Sequence, residues 1–171
     1  MEKQIKNNLI YDGKIIKLYC DDVLCANGNM TKREYVHHNG GAGILAVKED
    51  KILLIKQFRY PYHKELYEIP AGKIEQGEDP YNTALRELEE EVGLKASTLE
   101  DLGYIYPTCG YSDEVIYLYL ATDFTKTKTQ FDEDEDISSR WYTKEEVLKM
   151  IENNDIVDAK TLVAIFKYLH K

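Results

Sequence analysis

Residues 72–94 read GKIEQGEDPYNTALRELEEEVGL. Asp79 followed by Pro80 supplies an N-cap and a first helical residue, and Gly93 is placed to end the same helix, so the spacing predicts a helix over 80–92. On a wheel of about 100° per residue with Leu85 at zero, Leu88 falls near about 300° and Val92 near about 340°. Glu90, Glu87 and Glu91 fall near about 140°, 200° and 240° on the same wheel. This places an apolar side against a core and gathers three carboxylates on a side expected to be polar.

Those carboxylates are spaced i,i+3 and i,i+4, where like charges destabilise an isolated helix by about 0.2–0.5 kcal/mol per pair. Arg86 is one turn from Glu90, but a single guanidinium does not neutralise the group. Hard divalent cations take oxygen ligands, and Mg2+ in particular combines one or two carboxylates with waters and substrate phosphates. The cluster therefore suits metal-assisted phosphate chemistry, the alternative being a solvated acidic face.

Outward from this helix, the pattern is strand-like from Ile15 to about Val36, interrupted by a turn at Ala26-Asn27-Gly28-Asn29. Gly43–Val47 and Ile52–Phe58 are apolar runs joined by the polar turn Lys48-Glu49-Asp50-Lys51, and Val115–Ala121 is another strand-like run. Thr143 and Glu146 form a capping-box pattern. A last helix is expected over about 158–169, with Leu162, Ile165, Phe166 and Leu169 as its buried stripe. Strands dominating the first half with helices following favour an α+β sandwich or mixed sheet over regular βαβ alternation.

The 171 residues are 43% hydrophobic and 31% charged, the composition of one globular domain with a sizeable core. A formal charge of -9 disfavours nucleic acid and anionic membranes as partners, so an anionic substrate needs a local counter-charge. The 3 cysteines, Cys20, Cys25 and Cys109, form no CxxC pair and suggest a reducing cytoplasm. No signal-peptide h-region and no membrane-spanning run is present, so a soluble, cytoplasmic chain is expected.

The 72–94 stretch resembles the Nudix box, G-x5-E-x7-R-E-U-x-E-E-x-G-U with U aliphatic. Gly72, Glu78, Arg86, Glu87, Leu88, Glu90, Glu91, Gly93 and Leu94 match every fixed position. QFRYP at 57–61, EIPAGKIEQGE at 68–78, CGYSDE at 109–114, the acidic run at 132–136 and DAKT at 158–161 are together similar to the ADP-ribose pyrophosphatase branch of that family. The resemblance implies an α/β/α sandwich around a mixed sheet, preceded by an N-terminal β-hairpin region. It implies one domain over 1–171, with N-terminal strands at 1–40 that exchange in a homodimer and a catalytic core at 41–171.

The activity implied is Mg2+-dependent hydrolysis of ADP-ribose to AMP and ribose 5-phosphate, with two or three ions and Mn2+ as a substitute. Carried over residue by residue, Glu87, Glu90, Glu91, Glu135 and the carbonyl of Ala71 are metal ligands, and Gly72 lets the backbone approach them. Arg86 orients the glutamates, while Glu78 either hydrogen-bonds in the box loop or serves as an outer ligand. Glu133 matches the general base. Arg59 is the phosphate contact, and Phe58 and Glu68 complete the substrate-binding set. His37 and His38 read as structural.

One departure stands out: where the branch carries a proline about 15 residues past the box, this chain has Cys109, with Pro107 two residues earlier. The alternatives are the same chemistry on another nucleoside diphosphate sugar, of GDP-mannose or UDP-glucose type, a nucleoside triphosphate hydrolase, and, more remotely, a non-catalytic nucleotide sensor.

Overall fold

A computed structural model describes residues 1–129 and 137–171. Glu133 and Glu135, the expected base and its neighbouring ligand, lie outside the described residues. The chain divides into two compact units, one of residues 1–40 with 106–115 and one of residues 41–105 with 116–171.

In the first unit, β1 (Lys3–Lys6), β2 (Leu9–Asp12), β3 (Lys17–Leu24) and β4 (Met30–His37) form an antiparallel sheet with β3 central to β1, β2 and β4. The hairpin expected from Asn27-Gly28 is β3–β4, paired from Lys17↔His37 to Leu24↔Met30. Strands β1 and β2 lie before Ile15, where the strand-like pattern begins. They are too short for alternation to register, and their turn is organised by Asp21, whose carboxylate accepts from the Asn8 N–H at 2.9 Å and from the Asn7 amide. The 106–115 loop joins this sheet: the Asp113 N–H donates to the Val36 carbonyl, and Asp113 Oδ2 lies 2.7 Å from His37 Nδ1. His38 Nδ1 lies 3.3 Å from Glu114, so both histidines are engaged by carboxylates of that loop.

The second unit runs β5 (Gly41–Lys48), β6 (Lys51–Arg59), a 3-10 turn (Tyr60–Tyr62), β7 (Lys64–Glu68), β8 (Ala71–Lys73) and α1 (Pro80–Val92). It continues with β9 (Leu94–Ala96), β10 (Glu100–Ile105), β11 (Ile116–Ala121), β12 (Phe124–Lys126), β13 (Ile137–Thr143), α2 (Lys144–Glu152) and α3 (Ala159–Leu169). The mixed sheet is ordered β10-β11-β5-β6-β13, with β7 paired to β6 and β8 to β5. Strand β5 runs parallel to β11 and pairs with β6 only at Val47↔Ile52 and Lys48↔Lys51. Beyond those pairs the hairpin splays, β5 turning to β8 and β6 to β7.

Alternation along β5 explains the layers. Ala42, Ile44 and Ala46 pack with Ala84 and Leu88 of α1, whereas Leu45 and Val47 pack with Val147 of α2 and Ala164 and Ile165 of α3. The result is the α/β/α sandwich of an α+β fold. Helix α1 begins and ends as its caps predict, Asp79 accepting from the Tyr81 and Asn82 N–H groups and Gly93 standing at φ 63, a conformation that favours glycine. The Thr143–Glu146 capping box is formed in full.

On α3 the expected stripe is corrected at one position, Phe166, while Ile165 is buried and Leu162 and Leu169 pack part-buried against the core. Lys160, Thr161, Ala164 and Ile165 are the buried residues and Phe166 is 60% exposed, because the sheet meets the helix on a side rotated away from Phe166. Among the described residues, no helix is long and apolar enough to cross a membrane.

Candidate active site

The carboxylate cluster is built where α1 crosses β8. Arg86 sits at its centre, its Nη1 donating to Glu87 Oε1 at 2.7 Å and to Glu90 Oε2 at 2.9 Å. Its Nε and Nη2 form a fork on Glu78, both at 3.1 Å, and Nη2 also reaches the Lys73 carbonyl. Glu78 accepts further from the Thr83 hydroxyl at 2.7 Å and from the Glu75 N–H. These bonds, those of Arg86 first, hold its carboxyl at about 2 against an ordinary 4.5. Glu78 is therefore bonded within the box loop.

Gly72 permits the closest approach in the cluster. A Cβ there would lie 1.8 Å from Glu87 Oε1 and 1.9 Å from its Cδ, so only glycine allows this carboxylate to lie on the strand.

Glu91 corrects the wheel. The buried residues of α1 are Thr83, Ala84, Leu88 and Glu91, so the sheet-facing arc is centred near Ala84 and Glu91, with Leu85 and Val92 only part-buried. Glu91 is 3% exposed, and its Oε2 accepts the Ala71 N–H at 2.9 Å. The expectation of a solvated polar face fails at this residue because the backbone of β8, and not solvent, stands opposite it.

A second group of charges lies at the ends of β6 and β7. In that hairpin Ile55 pairs with Glu68 and Arg59 with Lys64, so Arg59 and Glu68 share a face at a diagonal. Arg59 Nε donates to Glu68 Oε1 at 2.7 Å and Nη2 to Oε2 at 2.6 Å, a bidentate pair. Glu68 is 1% exposed. Burial would push its carboxyl up, but the bonds from Arg59 and the charge of Lys160 outweigh this and hold it below the ordinary value. The charge of Glu91 also acts on Arg59, which couples the expected phosphate contact electrostatically to one of the box carboxylates. Phe58 is exposed on the alternate face of β6.

Sequence reasoning missed Lys160, which bonds Glu68 from the first turn of α3. Lysine is rarely buried, and nothing local to DAKT signals a partner 92 positions away.

Among the described residues, no group of three or more His, Cys, Asp or Glu side chains is by itself placed to hold a metal ion. The donor set nonetheless fits a hard divalent cation: it is all oxygen, it is under-neutralised by one guanidinium, and it lies in a cradle that a Cβ at Gly72 would fill. Mg2+ sites of this type are completed by waters and phosphates and not by protein alone.

An α/β/α sandwich carrying a helix of clustered carboxylates against a glycine-bearing strand defines a domain built for metal-assisted work on phosphates. Residues 37–163 match the NUDIX domain, and the chain belongs to this family. It is 44% identical to an ADP-ribose pyrophosphatase of Bacillus subtilis (strain 168), over 96% of this chain and 90% of that protein. It is 42% identical to a methanol dehydrogenase activator of Bacillus methanolicus with the same coverage. A crystal structure of an ADP compounds hydrolase superposes with a TM-score of 0.89 at 21% identity, covering 99% of this chain and 92% of that one, a likeness of fold.

Proposed function

We propose that this protein hydrolyses the pyrophosphate bond of ADP-ribose, releasing AMP and ribose 5-phosphate, in a reaction that requires Mg2+. The observation that carries this reading is the meeting of Glu87 and Glu91 with the Ala71–Gly72 strand end, with Arg86 tying Glu90 to Glu87. The 44% identical relative named for this activity supports the substrate.

Glu87, Glu90, Glu91 and the Ala71 carbonyl would hold the cations, two or three in number, with Glu135 as a further ligand. Bound there, they would offset the charge of the pyrophosphate oxygens and favour attack by water in line with the leaving phosphate. Arg86 keeps Glu87 and Glu90 in place through its Nη1. Arg59 presents its guanidinium to a phosphate oxygen, supplying the counter-charge that a chain of charge -9 lacks in bulk. Phe58 and Glu68 belong to the substrate side, Phe58 through its exposed ring and Glu68 through Arg59. Glu133 accepts the proton of the attacking water as the P–O bond to the leaving phosphate breaks, an assignment that rests on the family pattern.

The same reading makes 1–171 one working domain, cytoplasmic in keeping with three free cysteines, and a homodimer through its N-terminal strands. The exposed Ile5, Leu9, Ile10 and Met30 of those strands support the last point. A second reading keeps the chemistry and changes the nucleoside diphosphate sugar, and is favoured by Cys109 in the 107–111 turn.

The test is product analysis by chromatography after incubation with Mg2+ and a panel of ADP-ribose, ADP-glucose, GDP-mannose, UDP-glucose, NADH and a deoxynucleoside triphosphate. Glu90→Gln serves as the blank. AMP and ribose 5-phosphate appearing fastest from ADP-ribose is the expected result. A faster GDP- or UDP-sugar selects the second reading, and turnover undiminished in Glu90→Gln sinks the metal assignment.

A further inference from the structure

The bidentate grip of Glu68 on Arg59 raises a difficulty for any phosphate-binding role. A guanidinium matched to a single carboxylate has its charge largely spent, and a phosphate arriving beside it meets the field of the glutamate as well. In this protein the carboxylate is shared. Lys160 Nζ bonds the same Oε2 that accepts Arg59 Nη2, so two cations divide one buried anion.

Lys160 is itself 7% exposed, and its second partner, Asp158 Oδ2 at 3.1 Å, caps α3 by accepting from the Thr161 N–H at 3.0 Å and its hydroxyl at 2.6 Å. Asp158 is thus satisfied by the helix start, where the positive end of the helix dipole also lies. The fork on Glu68 uses Nε and Nη2 of Arg59 and leaves Nη1 outside it. The Arg59 side chain is 36% exposed against 2% for Glu68, so the arginine is the open end of the network.

The first turn of α3 also reaches the other half of the site. Thr161 Oγ1 accepts the Ile69 N–H at 2.9 Å, two residues before Ala71, whose N–H holds Glu91. One helix start therefore fixes Arg59 through Lys160 and Glu68, and the carboxylate cluster through Thr161 and the 69–71 backbone.

We propose that Lys160 is a positioning residue for phosphate recognition: by sharing Glu68 it leaves Arg59 with charge to offer and fixes the direction in which the guanidinium faces. The proposal rests on the ADP-ribose reading for its substrate, but its partner chemistry, a nucleoside diphosphate, is testable apart from turnover.

The experiment compares wild type, Lys160→Met, Lys160→Arg and Arg59→Ala by steady-state kinetics on ADP-ribose with Mg2+ and by calorimetric binding of ADP. The expected result is a rise of about tenfold in KM and in the ADP Kd for Lys160→Met, with kcat within about twofold, because binding common to ground and transition states is lost. Lys160→Arg restores most of the affinity, and Lys160→Met adds nothing in the Arg59→Ala background, since both act through one contact. Should Lys160→Met fail to fold, Asp158→Asn with Lys160→Met removes both charges of that pair and keeps a capping side chain, and it carries the same expectation. An unchanged Kd for ADP, or a full additional loss in the Arg59→Ala background, overturns the proposal. A wild type that binds ADP without hydrolysing ADP-ribose overturns the functional reading alone, and the ADP titrations still decide the role of Lys160.

Discussion

The two charged groups of the site differ in how they are neutralised. Around Arg86 a single guanidinium serves three carboxylates, Glu78, Glu87 and Glu90, and Glu91 is buried alongside. Around Glu68 two cations, Arg59 and Lys160, share one buried carboxylate, while Asp158 is held by the start of α3. In the function proposed above, the first group would attract a cation from outside the protein. The second is richer in cations and works by holding a guanidinium in place. A site for a metal-bound polyanion needs both, because the metal must be attracted by excess charge while the arginine must not be distracted by it.

Three perturbations sharpen the contrast. The largest effect is expected at the Glu68 group: Glu68→Gln leaves Arg59 and Lys160 deprived of their common anion and should cost about 3–5 kcal/mol in urea denaturation. A loss below about 1 kcal/mol would mean that the pair is solvated.

At the acid-rich group the chemistry should suffer more than the fold. In Gly72→Ala the new Cβ must displace the Glu87 carboxylate, which it would otherwise meet at 1.8 Å. A misplacement of that order should lower kcat by about 100-fold, worth about 2.7 kcal/mol, while the urea midpoint moves little. Unaltered kcat would show that Glu87 does not need its place on the strand.

The smallest effect is a pH dependence. Glu78 has its carboxyl depressed from 4.5 to about 2 in the folded chain, so its contribution to stability is complete above 4.5 and is lost as pH falls from there towards 2. In the chelated protein, Glu78→Gln should flatten that limb of the Tm profile by roughly 1 kcal/mol, discounted for the partial exposure of the group. An acid limb of the same steepness in the variant would assign the loss to other carboxylates.

The parts of the fold that were legible in advance are those whose signals are local. Helix α1 keeps the limits set by Asp79-Pro80 and Gly93, α2 starts at its capping box, and β5 and β6 flank the Lys48–Lys51 turn. Strands β7 to β10, β12 and β13 escaped notice: several span only three residues, and β13, ISSRWYT, lacks a clean alternation because α2 and β6 cover it unevenly. Within the site, Glu87, Glu90 and Arg86 are neighbours by helical spacing and could be grouped from the sequence. The direction of the sheet could not, which is why Glu91 was assigned to solvent and Phe166 to the core.

The sequence by itself determined the family and the box helix with its caps, since both follow from spacing within one segment. Only the tertiary structure decided that Glu91 is buried on the Ala71 N–H, that Gly72 is filled by Glu87, and that Arg59, Glu68 and Lys160 share one network. Those contacts join strands and helices up to 92 positions apart, and their geometry is set by how the sheet twists and the helices settle on it, which no local pattern encodes.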